Sequence, residues 1–123
     1  MIEVIKPGLL TTVQDQGRWG YQAYGVGISG AMDSFALAAA NFLVGNPEGA
    51  AGLEMTILGP SLKFHEETWF AVAGADLDPR LNGSTLANWT AHRAPSGSVS
   101  QNTANTLPSC RCATMSLDRC RLA

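Results

Sequence analysis

Residues 29–46 read SGAMDSFALAAANFLVGN, and this stretch predicts one principal helix near Asp33–Val44. Asp33 can cap the helix, because its carboxylate can accept from backbone N–H groups that lack a partner in the first turn. Gly45 and Pro47 form the stop signal. Four residues recur at helical spacing, and they are Phe35, Ala38, Ala39 and Phe42. We therefore expect them to form one buried stripe.

The segment before the helix suggests a pocket for an anion. Glycine-rich backbone at 25–30 leads to the helix N-terminus, where free N–H groups and the helix dipole attract negative charge. Arg18 can hold a carboxylate or a phosphate through two parallel hydrogen bonds. The candidate substrate- or anion-binding residues are Gln14, Arg18, Ser29, Gly30 and Asp33.

Two aspartates are candidate catalytic residues. Asp15 lies near Arg18 in a polar loop, and Asp76 follows an apolar segment. Either could act as a base or hold a metal–nucleotide complex. The same features also fit a capped core helix after a turn, with an Asp–Arg pair on the surface that contributes little energy. The residues alone leave both interpretations open.

The rest of the first 93 residues indicates short strands, and hence a mainly β (α+β) fold, either a barrel or a sandwich. Residues Ile2–Lys6 alternate between apolar and polar, as a half-buried strand does. Residues 69–73 are continuously apolar, which is typical of a strand that is buried on both faces. Asn82-Gly83 is the strongest two-residue signal for a hairpin.

The overall composition fits one domain with ample material for a core. The 123 residues are 46% hydrophobic and 15% charged, with a formal net charge of −2. This charge argues against nucleic-acid binding, because neutralising phosphates needs clustered Lys and Arg. No apolar run approaches the roughly 20 residues of a membrane helix, and the N-terminus does not resemble a secretory signal. We therefore expect a cytoplasmic protein with neither a nucleic-acid nor a membrane partner.

The composition changes near Ala94. Residues 1–93 carry five basic and nine acidic side chains, whereas 94–123 carry three basic and one acidic, and no aromatic residue. The later segment has no period, so we expect 94–123 to be an irregular tail, disordered or read out of frame. Its three cysteines, Cys110, Cys112 and Cys120, could be zinc ligands. A fourth ligand is missing nearby in the sequence, so we expect no metal site.

Several ordered motifs resemble the start of one bacterial family. They are KPGLLTTVQDxGR at 6–18, SGAMD at 29–33, ANxLVGN at 40–46, LExTxxGP at 53–60 and AGADL at 73–77. The resemblance runs from residue 2 to about 93. The family includes proteins known as biotin-dependent carboxyltransferase-like, allophanate hydrolase subunit 2, sporulation antagonist KipA, and a subunit of 5-oxoprolinase.

The resemblance implies a fragment of a cyclophilin-like β-barrel, with residues 1–93 as the N-terminal part of the domain. It implies a subunit of an ATP-dependent amidohydrolase of the 5-oxoprolinase type, acting on a small lactam carboxylate. ATP with Mg would be the co-substrate, with no tightly bound cofactor. Family members are about twice the usual domain size, so we expect a truncated chain that is inactive alone.

The resemblance also implies a partner, a smaller companion subunit of the same system. The alternative that it offers is a regulator without catalysis, which binds and antagonises an inhibitor of a kinase, as KipA does. Turnover in the presence of the companion subunit would favour the enzyme, whereas binding without turnover would favour the regulator.

Overall fold

The computed structural model describes residues 1–103 and 112–117, which form two antiparallel sheets and one α-helix. The strands are β1 (Ile2–Lys6), β2 (Leu10–Gln14), β3 (Gly52–Thr56), β4 (Leu58–Phe64), β5 (Thr68–Gly74), β6 (Pro79–Leu81), β7 (Ser84–Thr85), β8 (Thr90–Ala94), β9 (Val99–Thr103) and β10 (Cys112–Leu117). The helix α1 spans Ser34–Leu43, and a 3-10 turn spans Gln22–Tyr24. The predicted mainly β fold with one principal helix is confirmed.

The two sheets lie in the orders β1-β4-β9-β6-β7 and β2-β3-β10-β5-β8. Each has two edge strands within the described residues, so the sheets do not close into the barrel that the resemblance implied. The predicted Asn82-Gly83 turn is confirmed, since it joins β6 to β7. In the described part of the chain, no helix is long and apolar enough to cross a membrane.

The main core is built by residues from both sheets. Its buried members are Met55, Leu62, Phe64, Phe70, Val72, Leu77, Ala94, Ala113 and Met115. The rings of Phe64 and Phe70 stack with their centroids 5.3 Å apart. Strand β5 is continuously apolar because its second face is also covered, by α1, through Ala71 and Ala73. The predicted burial on both faces is confirmed for Phe70 to Ala73.

Helix α1 begins as predicted but buries a different face. Asp33 caps it, with the carboxylate accepting a hydrogen bond from the backbone N–H of Ala36 at 2.9 Å. The buried residues are Ala36, Leu37, Ala40 and Asn41, whereas Phe35 and Phe42 are 73% and 83% exposed. The predicted aromatic stripe is therefore wrong. Small residues on both surfaces let the helix lie close to β5, which leaves no room for aromatic rings between them.

The structure differs from the irregular tail expected for residues 94–123. Strand β9 pairs with β4 and β6, and β10 pairs with β3 and β5, so both lie inside their sheets. The apolar signal of these strands is weak because buried positions include polar residues, namely Ser100, Asn102, Thr114 and Ser116, and only β10 alternates, through Ala113, Met115 and Leu117. A change of reading frame after Arg93 stays a prediction. Cys110 and Cys120 lie outside the described residues.

The position of β10 can be tested by truncating Met115, which is fully buried between β3 and β5. We expect Met115→Ala to lower the free energy of unfolding by about 2–5 kcal/mol, because it leaves a cavity in the core. Met32→Ala is the control, since Met32 is 78% exposed. Urea denaturation measures both changes. Equal stability of the two variants would contradict the burial of β10.

Candidate functional site

Two loop segments meet between the end of β2 and the start of α1. The backbone N–H of Arg18 donates to the carbonyl of Ile28 at 2.7 Å, and that of Ala31 donates to the carbonyl of Asp15 at 2.9 Å. Gly17 and Gly30 face each other at this crossing, with φ angles of 83° and 94°. A Cβ atom on Gly30 would lie 2.7 Å from the backbone nitrogen of Gly17. Side chains at this position are therefore excluded by both backbone conformation and space.

A pocket of about 220 Å³ opens beside this crossing. It is lined by Val13, Gln14, Asp15, Gly17, Arg18, Ile28, Ser29, Gly30 and Ala51. Five of the seven residues predicted for the site are thus brought together by the fold. They comprise one cation, one carboxylate, an amide, a hydroxyl and a glycine, which is a suitable set of groups for a small polar ligand.

The polar side chains of the pocket differ in how firmly they are held. The Asp15 carboxylate oxygen Oδ1 accepts a hydrogen bond from the backbone N–H of Gly17 at 2.8 Å, which fixes the orientation of the carboxylate. The Gln14 amide donates to the hydroxyl of Thr12 at 3.1 Å. Arg18 is exposed, so its guanidinium can meet a ligand at little cost in lost hydration.

The two other predicted residues, Asp33 and Asp76, are not among the lining residues. Asp33 serves as the N-cap of α1, as predicted. Asp76 follows β5, and its Oδ1 accepts from the backbone N–H of Asp78 at 2.9 Å. In the strand register, Asp15 follows the end of β2 that lies level with the start of β5. Asp15 and Asp76 therefore lie at opposite ends of the sheet and do not share a site.

Sequence reasoning missed one residue that binds the loop between the pocket and α1, namely Glu54 on β3. Its side chain is buried with 8% exposure, and its Oε2 accepts a hydrogen bond from the backbone N–H of Met32 at 2.6 Å. The thiol of Cys112 on β10 lies beside it. Burial, together with the charge and the hydrogen bond of Glu54, raises the pKa of Cys112 to about 11. A carboxylate between Leu53 and Met55 within a strand is the signal that could have identified it.

Within residues 1–103 and 112–117, no three His, Cys, Asp or Glu side chains are grouped closely enough to hold a metal ion. Of the three cysteines considered as zinc ligands, only Cys112 is described, and it is a free thiol.

Known proteins share both the sequence pattern and the fold. The family model for the carboxyltransferase domain, subdomain A and B, matches residues 24–112. The chain belongs to this carboxyltransferase domain family. The match passes residue 93 and includes β8 and β9, so the family character does not stop where the composition changes.

Individual relatives agree with this assignment. The chain is 41% identical over 95 residues to a 5-oxoprolinase subunit of Escherichia coli. This alignment covers 77% of the chain and 30% of that protein. It is 48% identical over 85 residues to urea amidolyase of Lachancea kluyveri, covering 68% of the chain and 5% of the relative. The crystal structure of the K. lactis urea amidolyase superposes with a TM-score of 0.85 at 38% identity, over 94% of this chain and 7% of that one. The carboxyltransferase-family chain thus spans about a third or less of these relatives.

The crossing of the two loops can be tested with Gly30→Ala. Gly25→Ala is the matched control, because Gly25 also has a positive φ but has open space where a Cβ would lie. We expect Gly30→Ala to lower the free energy of unfolding by more than the roughly 1–2 kcal/mol of left-handed strain in the control. Thermal or urea unfolding measures the difference. Equal losses would show that Gly30 is not packed against Gly17.

The environment of Cys112 can be tested by alkylation. The folded pKa of about 11 lies above the ordinary value of 9.0, so the folded state holds the thiol proton more tightly than the unfolded state does. This contribution to stability is complete below pH 9 and is lost as the pH rises towards 11. We expect Cys112 to react slowly with iodoacetamide at about pH 8, and the rate of reaction to rise near pH 11. Mass spectrometry measures the extent of alkylation at each pH.

The reaction of urea-unfolded chain at the same starting pH gives the reference rate for Cys112. Glu54→Gln removes one cause of the raised pKa and should move the profile to lower pH. A folded rate equal to the unfolded rate would contradict the environment described for this thiol.

Proposed function

We propose that the chain is part of a subunit of an ATP-dependent amidohydrolase of the 5-oxoprolinase type, and that its pocket binds the carboxylate of a small lactam. The proposal rests on the pocket beside the contact of Gly17 with Gly30, which we call the glycine crossing. Arg18, Ser29 and Asp15 line this pocket. The name of the Escherichia coli relative, a 5-oxoprolinase subunit, supports the choice of substrate class.

In this proposal, Arg18 is the group that recognises the substrate carboxylate. A guanidinium can donate two parallel hydrogen bonds to a carboxylate, and such charge-assisted pairs are stronger than neutral ones. The hydroxyl of Ser29, which also lines the pocket, can add a third donor. The pocket volume of about 220 Å³ suits a small ring carrying one carboxylate.

Asp15 is the proposed catalytic group of this pocket. Because Oδ1 is held by Gly17, the carboxylate is fixed and Oδ2 is the proposed acceptor of a proton or ligand of magnesium. ATP with magnesium is the proposed co-substrate, in keeping with the Asp15 carboxylate and the Arg18 guanidinium, which line the same pocket. Asp76 is left out of the proposal, because it lies at the opposite end of the sheet.

A companion subunit is the proposed partner. The outward face of α1 supports a protein partner, because Phe35 and Phe42 are largely exposed and the ring of Phe35 lies 6.0 Å from that of Trp89. This surface equally supports the second candidate function, a regulator of the KipA kind that binds an inhibitor of a kinase and needs no catalysis. We further propose a cytoplasmic location, where ATP is available.

Binding of 5-oxoproline to variants of Arg18 tests the pocket without requiring turnover. We expect Arg18→Ala to weaken binding by about tenfold or more, because a charge-assisted hydrogen bond to the carboxylate is lost. Arg93→Ala is the control, since it removes the same charge from an exposed position on β8, where Arg93 pairs with Glu67. Isothermal titration calorimetry compares them. Equal affinities for both variants would contradict the role of Arg18.

Turnover separates the two candidate functions. With companion subunits and Mg-ATP present, phosphate release that depends on 5-oxoproline supports the enzyme. A complex that forms tightly but releases no phosphate supports the regulator, and Phe42→Ser should then weaken the complex while leaving the binding of 5-oxoproline unchanged.

A further inference from the structure

We propose that Glu54 is the positioning residue of the pocket, holding the Ser29–Ala31 wall against Asp15 through the backbone of Met32. This inference rests on the proposed function, because it concerns the same pocket. Glu54 is not a lining residue, so it would act through the loop and not on the ligand.

Three successive residues of this loop are each tied to a different part of the fold. The N–H of Ala31 donates to the carbonyl of Asp15, just after β2. The N–H of Met32 donates to Glu54 on β3. Asp33 caps α1 by accepting from the N–H of Ala36. The bond to Glu54 is thus the one that ties the loop directly to a strand inside the sheet, two residues from Gly30.

The chemistry of Glu54 matches its two partners. A buried carboxylate is costly unless hydrogen bonds compensate the lost hydration. Glu54 receives one from the Met32 N–H, at 2.6 Å, and the thiol of Cys112 lies beside it on the neighbouring strand. Both partners are donors, and an ionised carboxylate only accepts. A glutamine would turn an NH₂ group towards one of the two donors, so the position favours a carboxylate.

Burial of Glu54 strengthens its hydrogen bond to the backbone N–H of Met32. With 8% exposure, the Glu54 carboxylate is shielded from water, which strengthens its charge-assisted bond to the loop. Substitution would release the wall at Ser29, while the core between the sheets keeps its own contacts, because Glu54 lies outside the buried apolar cluster.

The test compares Glu54→Ala and Glu54→Gln with two controls. Glu48→Ala removes an exposed carboxylate, and Met115→Ala destabilises the core without touching the loop. The readouts are the affinity for 5-oxoproline by calorimetry and the hydrogen exchange of the Met32 amide by NMR, both under conditions where each variant is folded.

We expect Glu54→Ala to weaken binding by about tenfold and to speed exchange at Met32. Glu54→Gln, which keeps one acceptor, should recover part of both. Glu48→Ala and Met115→Ala should bind as the unmodified chain does. Unchanged affinity in Glu54→Ala, or a loss of equal size in Met115→Ala, would overturn the inference.

The two proposals can fail separately. If the unmodified chain binds no 5-oxoproline, the proposed function fails, and exchange at Met32 in Glu54→Ala still decides whether Glu54 holds the loop. If Glu54→Ala does not fold, Glu54→Leu supplies both readouts, because it fills the buried space but offers no acceptor to the Met32 N–H. Slow Met32 exchange in a variant that lacks the acceptor, with affinity unchanged, would overturn the positioning role.

Discussion

The contact between Gly17 and Gly30 is the constraint on which the rest of the candidate site depends. A side chain at either position would meet backbone atoms of the other segment at less than 3 Å. Because both are glycines, the loop after β2 and the loop before α1 can cross with their backbones in direct contact. The crossing places Arg18 and Ser29 around one pocket, although they are separated along the chain.

The sheet and the helix hold the two loops of this crossing in place. Helix α1 lies close to β5 because Ala36 and Ala40 pack against Ala71 and Ala73. Strand β10 fills the place between β3 and β5 and brings Cys112 beside Glu54. The pocket is therefore built on loops that an interior strand and a capped helix both hold, and such support favours a preorganised site.

Local signals predicted much of this structure. Four correct predictions depend on residues that are near in sequence or on the backbone conformation that a residue type favours. They are the cap at Asp33, the stop at Gly45, the Asn82-Gly83 turn and the grouping of Asp15 and Arg18 with Ser29 and Gly30. The same kind of signal failed for the buried face of α1. Its aromatic residues form the more hydrophobic stripe, but the surface that receives the helix decides which face is buried, and that surface comes from β5 and β10.

Two other features depend on long-range pairing, and the sequence hides them. Strand β9 buries serine and asparagine, so no apolar period marks it, and the alternation of Ala113, Met115 and Leu117 in β10 is short and interrupted by buried Thr114 and Ser116. The separation of Asp15 from Asp76 follows from the strand register, which no local pattern of the residues specifies. Glu54 was missed for the same reason, because its partners Met32 and Cys112 lie far from it in sequence.

The central claim is that the pocket at the glycine crossing receives a small carboxylate. A crystal structure of the chain with 5-oxoproline bound tests it most directly. We predict that the ligand carboxylate lies within hydrogen-bonding distance of the Arg18 guanidinium and the Ser29 hydroxyl. Ligand bound at another place in the fold, with this pocket occupied only by water, would contradict the claim.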